Sequence, residues 1–326
     1  MNRREALILL SALGVTPLTA VAQQAGKVWR VGILRPGPDD AIWRENFAPF
    51  RQTMRELGYV EGANLVLEYR VRPGSPEEIL ALAKELVHVK VDAIVAISAA
   101  GVAAAARATA SIPIVANDNE SDPVARGYAA SLARPGRNIT GQFLDFPEIG
   151  GKWIELLREV VPKLSRIAVL WDPVIGPYFV KEVAAAASSL RVQTVGLEAR
   201  GLADLEGAFQ AALKQGAQAL LVLTSVALNT ARKEIAALAL KHRLPSMMSF
   251  SGFADAGGLM AYGPSLFNMF RQSAAYVAKI LQGARPGELP IERPTRFDLI
   301  INKRTANSLG ITIPQSLLLR AERLIE

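Results

Sequence analysis

The chain has 326 residues, 50% of them hydrophobic and 21% charged, so it is long enough for two globular domains and is neither disordered nor fibrous in composition. Its net charge is +7, but the basic residues are scattered singly and form no continuous stripe, so no nucleic-acid partner is predicted. The absence of cysteine excludes disulfides, thiol catalysis and cysteine-ligated metal sites.

The first predicted element is an export signal over residues 1–22. A short basic start precedes the apolar run Ala6–Val15, and Ala20-Val21-Ala22 supplies the small residues that signal peptidase recognises. We therefore expect cleavage after Ala22 and a periplasmic mature protein. Two alternatives remain open: the segment is a buried first helix, or export follows the twin-arginine route through Arg3 and Arg4.

Strands and helices then alternate along the first half of the mature chain. Apolar runs predict the strands, and amphipathic runs ended by turn residues predict the helices. In chain order we expect strand Val28–Leu34, helix Glu45–Leu57, strand Leu65–Tyr69, helix Pro76–Val87, strand Asp92–Ile97, helix Ala99–Thr109 and strand Ile112–Ala116. Nearly continuous apolar strands separated by helices indicate a parallel sheet covered on both faces.

The same pattern begins again about 130 positions later. Arg166–Trp171 is an opening strand followed at once by a proline loop, as Val31–Arg35 is. The run Val91–Val95 is echoed by Gln218–Val222, and each run leads to a serine. The predicted fold class is therefore α/β, with two Rossmann-like lobes whose parallel sheets are flanked by helices.

Turn-rich stretches suggest where the lobes meet. The segment Ala133–Gly141 is a candidate for the first passage between lobes, and a late helix, Ser265–Leu281, precedes a proline loop and the strand Phe297–Ile301. We expect an N-terminal lobe of residues 28–141 plus about 264–290. The C-terminal lobe would then comprise residues 142–263 plus about 291–326.

Short motifs distributed over the whole mature chain carry a resemblance. They are Gly58-Tyr59-Val60-Glu61-Gly62, Val91-Asp92-Ala93-Ile94-Val95, Ser131-Leu132-Ala133-Arg134-Pro135-Gly136, Asn138-Ile139-Thr140-Gly141, Gly257-Gly258-Leu259, Tyr262-Gly263, Ile300-Ile301-Asn302-Lys303-Arg304-Thr305-Ala306 and Leu309-Gly310-Ile311-Thr312-Ile313-Pro314. Together they resemble the ABC-importer substrate-binding family that includes tryptophan- and tyrosine-binding members. The resemblance implies a type I periplasmic-binding-protein fold with a three-crossing hinge, a small-molecule ligand and an ABC permease in the inner membrane as partner. It does not fix the ligand.

Candidate binding residues follow from the strand ends, because ligands of open α/β sheets bind at the carboxyl ends of the strands. The loops expected to face the cleft are 35–40, 98–101, 117–122, 171–177, 224–226 and 250–252. The candidate ligand-binding residues in or near these loops are Arg35, Ser98, Ala99, Asp118, Glu120, Phe143, Trp171, Tyr178, Ser225, Phe250 and Tyr262.

Each candidate has a functional and a purely structural interpretation. Ser98 and Ser225 either offer a hydroxyl and helix amides to a carboxylate or simply cap helices. Asp118 and Glu120 either bind an ammonium or hydroxyls, or face solvent. Arg35 either pairs with a ligand carboxylate or forms a salt bridge on the rim. The aromatic candidates either wall an apolar pocket or belong to the core.

No catalytic constellation is recognisable in the sequence. The only histidines, His88 and His242, lie near predicted helix ends, and no serine–histidine–aspartate set, phosphate-binding loop or paired-histidine metal motif is present. We therefore expect no enzyme, cofactor or metal, but a monomeric periplasmic solute-binding component of an ABC importer for a small carboxylate-bearing, amino-acid-like or aromatic ligand. The alternatives are a periplasmic sensor that delivers its ligand to a signalling receptor, and a secreted α/β enzyme.

Overall fold

The computed structural model describes residues 27–144 and 146–326, so the predicted export signal lies outside the described residues. The strands are β1 Trp29–Arg35, β2 Leu65–Val71, β3 Ala93–Ile97, β4 Ile114–Asp118, β5 Ile139–Phe143, β6 Arg166–Trp171, β7 Gln193–Glu198, β8 Ala219–Val222, β9 Ser246–Met248, β10 Met260–Pro264, β11 Ile291–Glu292, β12 Phe297–Asn302 and β13 Arg323–Ile325. The helices are α1 Ala41–Glu56, α2 Pro76–His88, α3 Ser98–Ala108, α4 Phe146–Val160, α5 Tyr178–Ser189, α6 Leu202–Lys214, α7 Val226–Thr230, α8 Arg232–Lys241, α9 Ser251–Asp255, α10 Leu266–Leu281, α11 Lys303–Leu309 and α12 Gln315–Arg320.

The strands form two separate sheets with the same internal order. The first sheet runs β11-β5-β4-β3-β1-β2 and the second β13-β12-β10-β9-β8-β6-β7, so the first five strands of each sheet are arranged alike. Pairing is parallel throughout except between β10 and β12. The predicted fold class, two α/β lobes with parallel sheets, is confirmed. We call the lobe around the first sheet the N-terminal lobe and the other the C-terminal lobe.

The chain passes between the two sheets three times: after β5, after β10 and after β11. Two of the expected boundaries need correction. Strand Ile139–Phe143 lies in the first sheet, and Ile291–Glu292 pairs with its residues Gly141 and Gln142, so the first and third passages come later than residues 141 and 290. The turn-rich stretch before β5 marks the start of a strand within the N-terminal lobe rather than the passage itself.

Helices cover both faces of the first sheet. On one face α1 contributes Trp43, Phe47, Phe50 and Met54, whose spacing places them on a single side of the helix, against α10 and the strands. On the other face α2 and α3 pack residues such as Leu86 onto the sheet. Burying each large apolar side chain contributes roughly 1.5–3 kcal/mol, so these helices hold the strand ends in fixed positions.

A glycine at the same point of each lobe allows the fifth strand to lie very close to the fourth. A Cβ at Gly141 in β5 would collide with the carbonyl oxygen of Ala116, and a Cβ at Gly263 in β10 would collide with that of Ser249. The two lobes therefore share this close strand contact as well as their strand order.

Candidate functional site

A cavity of about 130 Å³ lies between the lobes, where the strands of both sheets end. This volume is close to that of the roughly 150 Å³ cavities that accept a molecule of benzene, so a small solute fits. The N-terminal lobe lines it with residues 35–38, Asp40, Trp43, Asn46, Ile97, Ser98, Asn117, Asn119, Glu120, Leu266 and Phe270. The C-terminal lobe lines it with residues 224–226, Asn229, Thr230, Arg232 and residues 250–252.

Five of the sequence-predicted residues meet in this cavity: Arg35, Ser98, Glu120, Ser225 and Phe250. They come from five separate loops and from both lobes, which is the arrangement expected for a ligand that bridges two parallel sheets. A further predicted residue, Ala99, does not line the cavity, but its backbone N–H donates to Oε2 of the lining residue Glu120 over 3.1 Å.

Three predicted aromatic residues point elsewhere, into the hydrophobic core. Trp171 and Tyr262 pack against the core of the C-terminal lobe, and Phe143 is buried in the core of the N-terminal lobe. The reason is the alternation of side chains along a strand. Trp171 lies on the same face of β6 as the core residues Ile167 and Val169, so its side chain packs with their core and not into the cavity. These three residues do not line the cavity.

Tyr178 is a fourth aromatic residue that does not line the cavity. Its side chain opens helix α5, remains 43% exposed and packs edge-on against Phe179, with 5.3 Å between the ring centroids. Tyr178 is therefore a partly exposed surface residue, in contrast to its predicted role as a wall of the pocket.

The prediction for Asp118 also needs correction, because its carboxylate is used inside the loop that follows β4. Oδ1 accepts the backbone N–H of Glu120 over 2.8 Å, and Oδ2 accepts the hydroxyl of Ser121. Asp118 is fully buried, and burial is the main reason that its pKa is raised to about 6. It shapes the loop and places a negative charge behind Glu120.

One end of the cavity, which we call the arginine end, carries a guanidinium from each lobe. Arg35 follows β1, donates to the backbone oxygen of Pro38 over 2.6 Å and lies over the ring of Trp43, 4.7 Å from its centroid. Arg232 begins α8 and donates to the backbone oxygen of Asn229 over 2.9 Å. Burial lowers the pKa of Arg35, and the nearby charge of Arg232 lowers it further.

Another part of the lining, which we call the acidic end, is centred on Glu120. Its side chain is only 7% exposed, and burial raises its pKa to about 8, with further upward contributions from Asp118 and from Asp172 of the C-terminal lobe. The N–H of Ala99 acts in the opposite direction. Asp172 follows β6 and is itself 4% exposed, so carboxylates of both lobes approach each other here.

The two predicted serines differ in their local roles. Ser225 is an N-cap, since its hydroxyl accepts the N–H of Leu228 over 3.1 Å at the start of α7. Ser98 has a backbone φ of 67°, a left-handed conformation that is unfavourable for a residue with a side chain, and its hydroxyl lies 3.5 Å from the N–H of Gly101. Strained conformations of this kind cluster at ligand-binding sites, and Ser98 lines the cavity.

Several lining residues were not predicted from the sequence. Trp43 and Phe270 form an aromatic wall, with 5.7 Å between their ring centroids. Trp43 could have been predicted, because Asp40 is a typical N-cap residue and a helix that begins after it places Trp43 in the first turn, next to the cleft loop. No sequence signal pointed to Arg232. It lies beyond the predicted cleft loop, at the start of α8, and the short helix α7 between that loop and α8 was not predicted.

Three buried polar atoms that belong to lining residues have no hydrogen-bond partner among residues 27–144 and 146–326: Nδ2 of Asn117, Oδ1 of Asn119 and Oγ1 of Thr224. Asn117 and Asn119 are 3% and 9% exposed. A buried polar group without a partner is costly, so these atoms indicate positions at which a polar ligand would bind. In residues 27–144 and 146–326 no helix is long and apolar enough to cross a bilayer.

Comparison with known proteins accounts for this architecture. The family model for ABC transporter substrate-binding proteins matches residues 39–325. The chain belongs to this family. A tyrosine-binding protein of Clostridioides difficile (strain R20291) is 25% identical over 322 residues, which cover 94% of this chain and 91% of that protein. Members of this family are solute-binding proteins and are generally extracytoplasmic.

Solved structures share the whole fold. A conserved domain protein of Vibrio cholerae O1 biovar El Tor is 27% identical, with a TM-score of 0.82 over 91% of this chain and all of that one. An ABC domain of Streptococcus pneumoniae, solved in complex with L-tryptophan, is 20% identical, with a TM-score of 0.83 over 92% of this chain and all of that one. The family member described here therefore has the type I periplasmic-binding fold.

Proposed function

We propose that this protein is the periplasmic solute-binding component of an ABC importer and that it captures a small carboxylate-bearing ligand, amino-acid-like or aromatic, between its lobes. The observation that carries the proposal is the arginine end of the cavity. Arg35 and Arg232 come from opposite lobes and line the same space. A carboxylate placed there would contact both lobes at once.

The two guanidinium groups explain why a ligand would favour the closed form. In an empty closed cleft they repel each other, as the effect of Arg232 on the pKa of Arg35 indicates. A carboxylate between them would replace this repulsion with two charge-assisted interactions, which are about twice as strong as neutral hydrogen bonds. Since only the closed form brings both arginines together, the ligand shifts the equilibrium towards closure.

The aromatic wall supports an apolar group on the same ligand. Trp43 and Phe270 face the cavity from the N-terminal lobe and Phe250 faces it from the C-terminal lobe. Such a slot suits a planar or apolar side chain. The tyrosine-binding relative and the relative solved with L-tryptophan bind ligands of this kind, which is consistent with an aromatic amino acid here.

The remaining elements of the proposal concern location and partners. The predicted export signal would deliver the chain to the periplasm, where it would act as a monomer and pass its ligand to an inner-membrane permease without any bond-making. Uptake of the labelled ligand should be lost in cells that lack the protein.

Two measurements test the ligand class. Native mass spectrometry of the protein purified from its own host should show a bound small molecule, and after denaturation this molecule should contain a carboxylate. Added back at a hundred times its Kd, it should raise the free energy of unfolding by about 2.7 kcal/mol.

Arg232→Gln supplies the matched variant. We expect it to weaken binding of that molecule roughly 10- to 100-fold, the loss typical for a hydrogen bond to a charged group. The control is Arg304→Gln, at an exposed position of α11 in the same lobe, and it should bind normally. A ligand without a carboxylate, or unchanged affinity in Arg232→Gln, would contradict the proposal.

A further inference from the structure

The guanidinium of Arg35 is folded back against its own loop. Its Nη1 donates to the backbone oxygen of Pro38 over 2.6 Å, and its Cζ lies 4.7 Å from the ring centroid of Trp43. An arginine side chain loses much conformational entropy when it is held in one place. The position of this guanidinium therefore depends on the space that the loop leaves for it.

Gly37, two residues further along the chain, leaves the space in which this guanidinium lies. Gly37 is buried and lines the cavity. A Cβ at Gly37 would lie 2.8 Å from Nη1 of Arg35, 3.0 Å from its Cζ and 3.2 Å from its Nη2. All three distances are shorter than an ordinary van der Waals contact of about 3.5–4.0 Å between heavy atoms. The guanidinium can therefore occupy its observed position only while residue 37 has no side chain.

The backbone around Gly37 is fixed, so the side chain of Arg35 would move if residue 37 were larger. Pro36 and Pro38 flank Gly37, and their rings restrict the backbone dihedral φ. The N–H of Gly37 donates to the backbone oxygen of Arg72 over 3.1 Å, and the N–H of Arg72 donates to that of Arg35 over 3.3 Å. The end of an arginine side chain, in contrast, moves by rotation between staggered rotamers. A side chain at position 37 would therefore displace the guanidinium rather than the loop.

We propose that Gly37 is a positioning residue: because it has no side chain, it keeps the guanidinium of Arg35 where that group receives the carboxylate of the ligand. This inference rests on the proposed function, in which the carboxylate lies between Arg35 and Arg232. A guanidinium that is already held in place loses little further conformational entropy when the ligand arrives, so its fixed position increases affinity.

The variant Gly37→Ala separates this role from a contribution to the stability of the fold. The three atoms nearest to the added methyl group all belong to the guanidinium of Arg35, which can move away. We therefore expect the midpoint of thermal unfolding without ligand to change by less than about 3 °C. Affinity for a carboxylate ligand should nevertheless fall about tenfold, because a hydrogen bond to a charged group is weakened. Crystals of the ligand-free variant should show Nη1 of Arg35 away from the backbone oxygen of Pro38.

The test is a double-mutant cycle with Arg35→Gln, measured by calorimetric titration with L-tyrosine, L-tryptophan and phenylacetate. We expect Arg35→Gln to bind about 10- to 100-fold more weakly than the unmodified protein. If Gly37 acts through Arg35, adding Gly37→Ala to Arg35→Gln should cause no further loss of affinity. Gly207→Ala is the control and should bind like the unmodified protein, because Gly207 is an exposed residue of α6 whose Cβ would meet nothing within 4 Å.

The outcomes separate this inference from the proposed function. Unchanged affinity in Arg35→Gln, or binding of none of the three compounds by the unmodified protein, would count against both. Weaker binding in Arg35→Gln with unchanged binding in Gly37→Ala would refute the positioning role alone, as would losses that add in the double variant. A guanidinium that keeps its bond to Pro38 in crystals of Gly37→Ala would refute it whichever compound binds. Losses in both single variants that do not add would support both.

Discussion

The two walls of the cavity are built differently, although the two lobes share one strand order. The N-terminal wall carries large and charged side chains, Arg35, Trp43, Glu120 and Phe270 among them, on elements flanked by the long helices α1 and α10. The C-terminal wall is formed largely by the short helices α7 and α9 and the residues before them, with Arg232 as its cation. A duplicated framework thus supports unequal halves of one site.

This difference suggests that the two walls act at different steps of binding. Arg35 is already held by Pro38 and Trp43, so the N-terminal wall is organised before a ligand arrives. The C-terminal wall contributes Arg232 and Thr224, and under the proposed function these residues would reach the ligand as the cleft closes. Substitutions on the first wall should therefore affect the capture of ligand and often stability, whereas substitutions on the second wall should mainly accelerate release.

The largest effect is expected for Trp43→Ala. Trp43 is 4% exposed and contacts Phe47, Phe270 and Arg35, so its removal should leave a cavity where α1 meets α10. We expect the free energy of unfolding, measured by denaturant titration without ligand, to fall by about 3–5 kcal/mol. Phe250→Ala, at a half-buried aromatic of the other wall, should lower it much less. Equal losses in the two variants would show that the walls are not organised differently.

A smaller effect separates the two serines that open equivalent helices. Ser225→Ala removes the cap of α7 and should lower the free energy of unfolding by about 1 kcal/mol. Ser98→Ala should cost less stability, because its hydroxyl makes only a 3.5 Å contact with Gly101 and its backbone stays in the same strained conformation. Thermal unfolding of the two variants side by side checks the order, and the reverse order would mean that Ser98 is the structural cap.

Most of the framework could be predicted from the sequence, because buried parallel strands leave a strong local signal. The run Arg166–Trp171 was predicted with its observed bounds, and the repeat of strand, loop and serine correctly indicated two lobes. The loops that face the cleft followed from the rule on strand ends. Five of these loops do contribute to the cavity, whereas the loop after β6 does not line it and acts only through the charge of Asp172, which raises the pKa of Glu120.

The direction of individual side chains was harder to predict. Position at a strand end does not say which face a side chain occupies, and the alternation within β6 places Trp171 in the core with Ile167 and Val169. Helix α1 begins at Ala41, whereas the sequence predicted a start at Glu45. Trp43 was therefore not recognised as a residue of the first helical turn facing the cavity. Electrostatic interactions such as the effect of Asp172 on the pKa of Glu120 join distant parts of the chain and have no local pattern.

The most direct test of the central claim is a crystal structure of the protein with the compound it carries when purified from its host. We predict a closed cleft in which the carboxylate of that compound contacts Arg35 on one lobe and Arg232 on the other. A compound bound outside the gap between the sheets, or one held by a single lobe with the arginines apart, would contradict it.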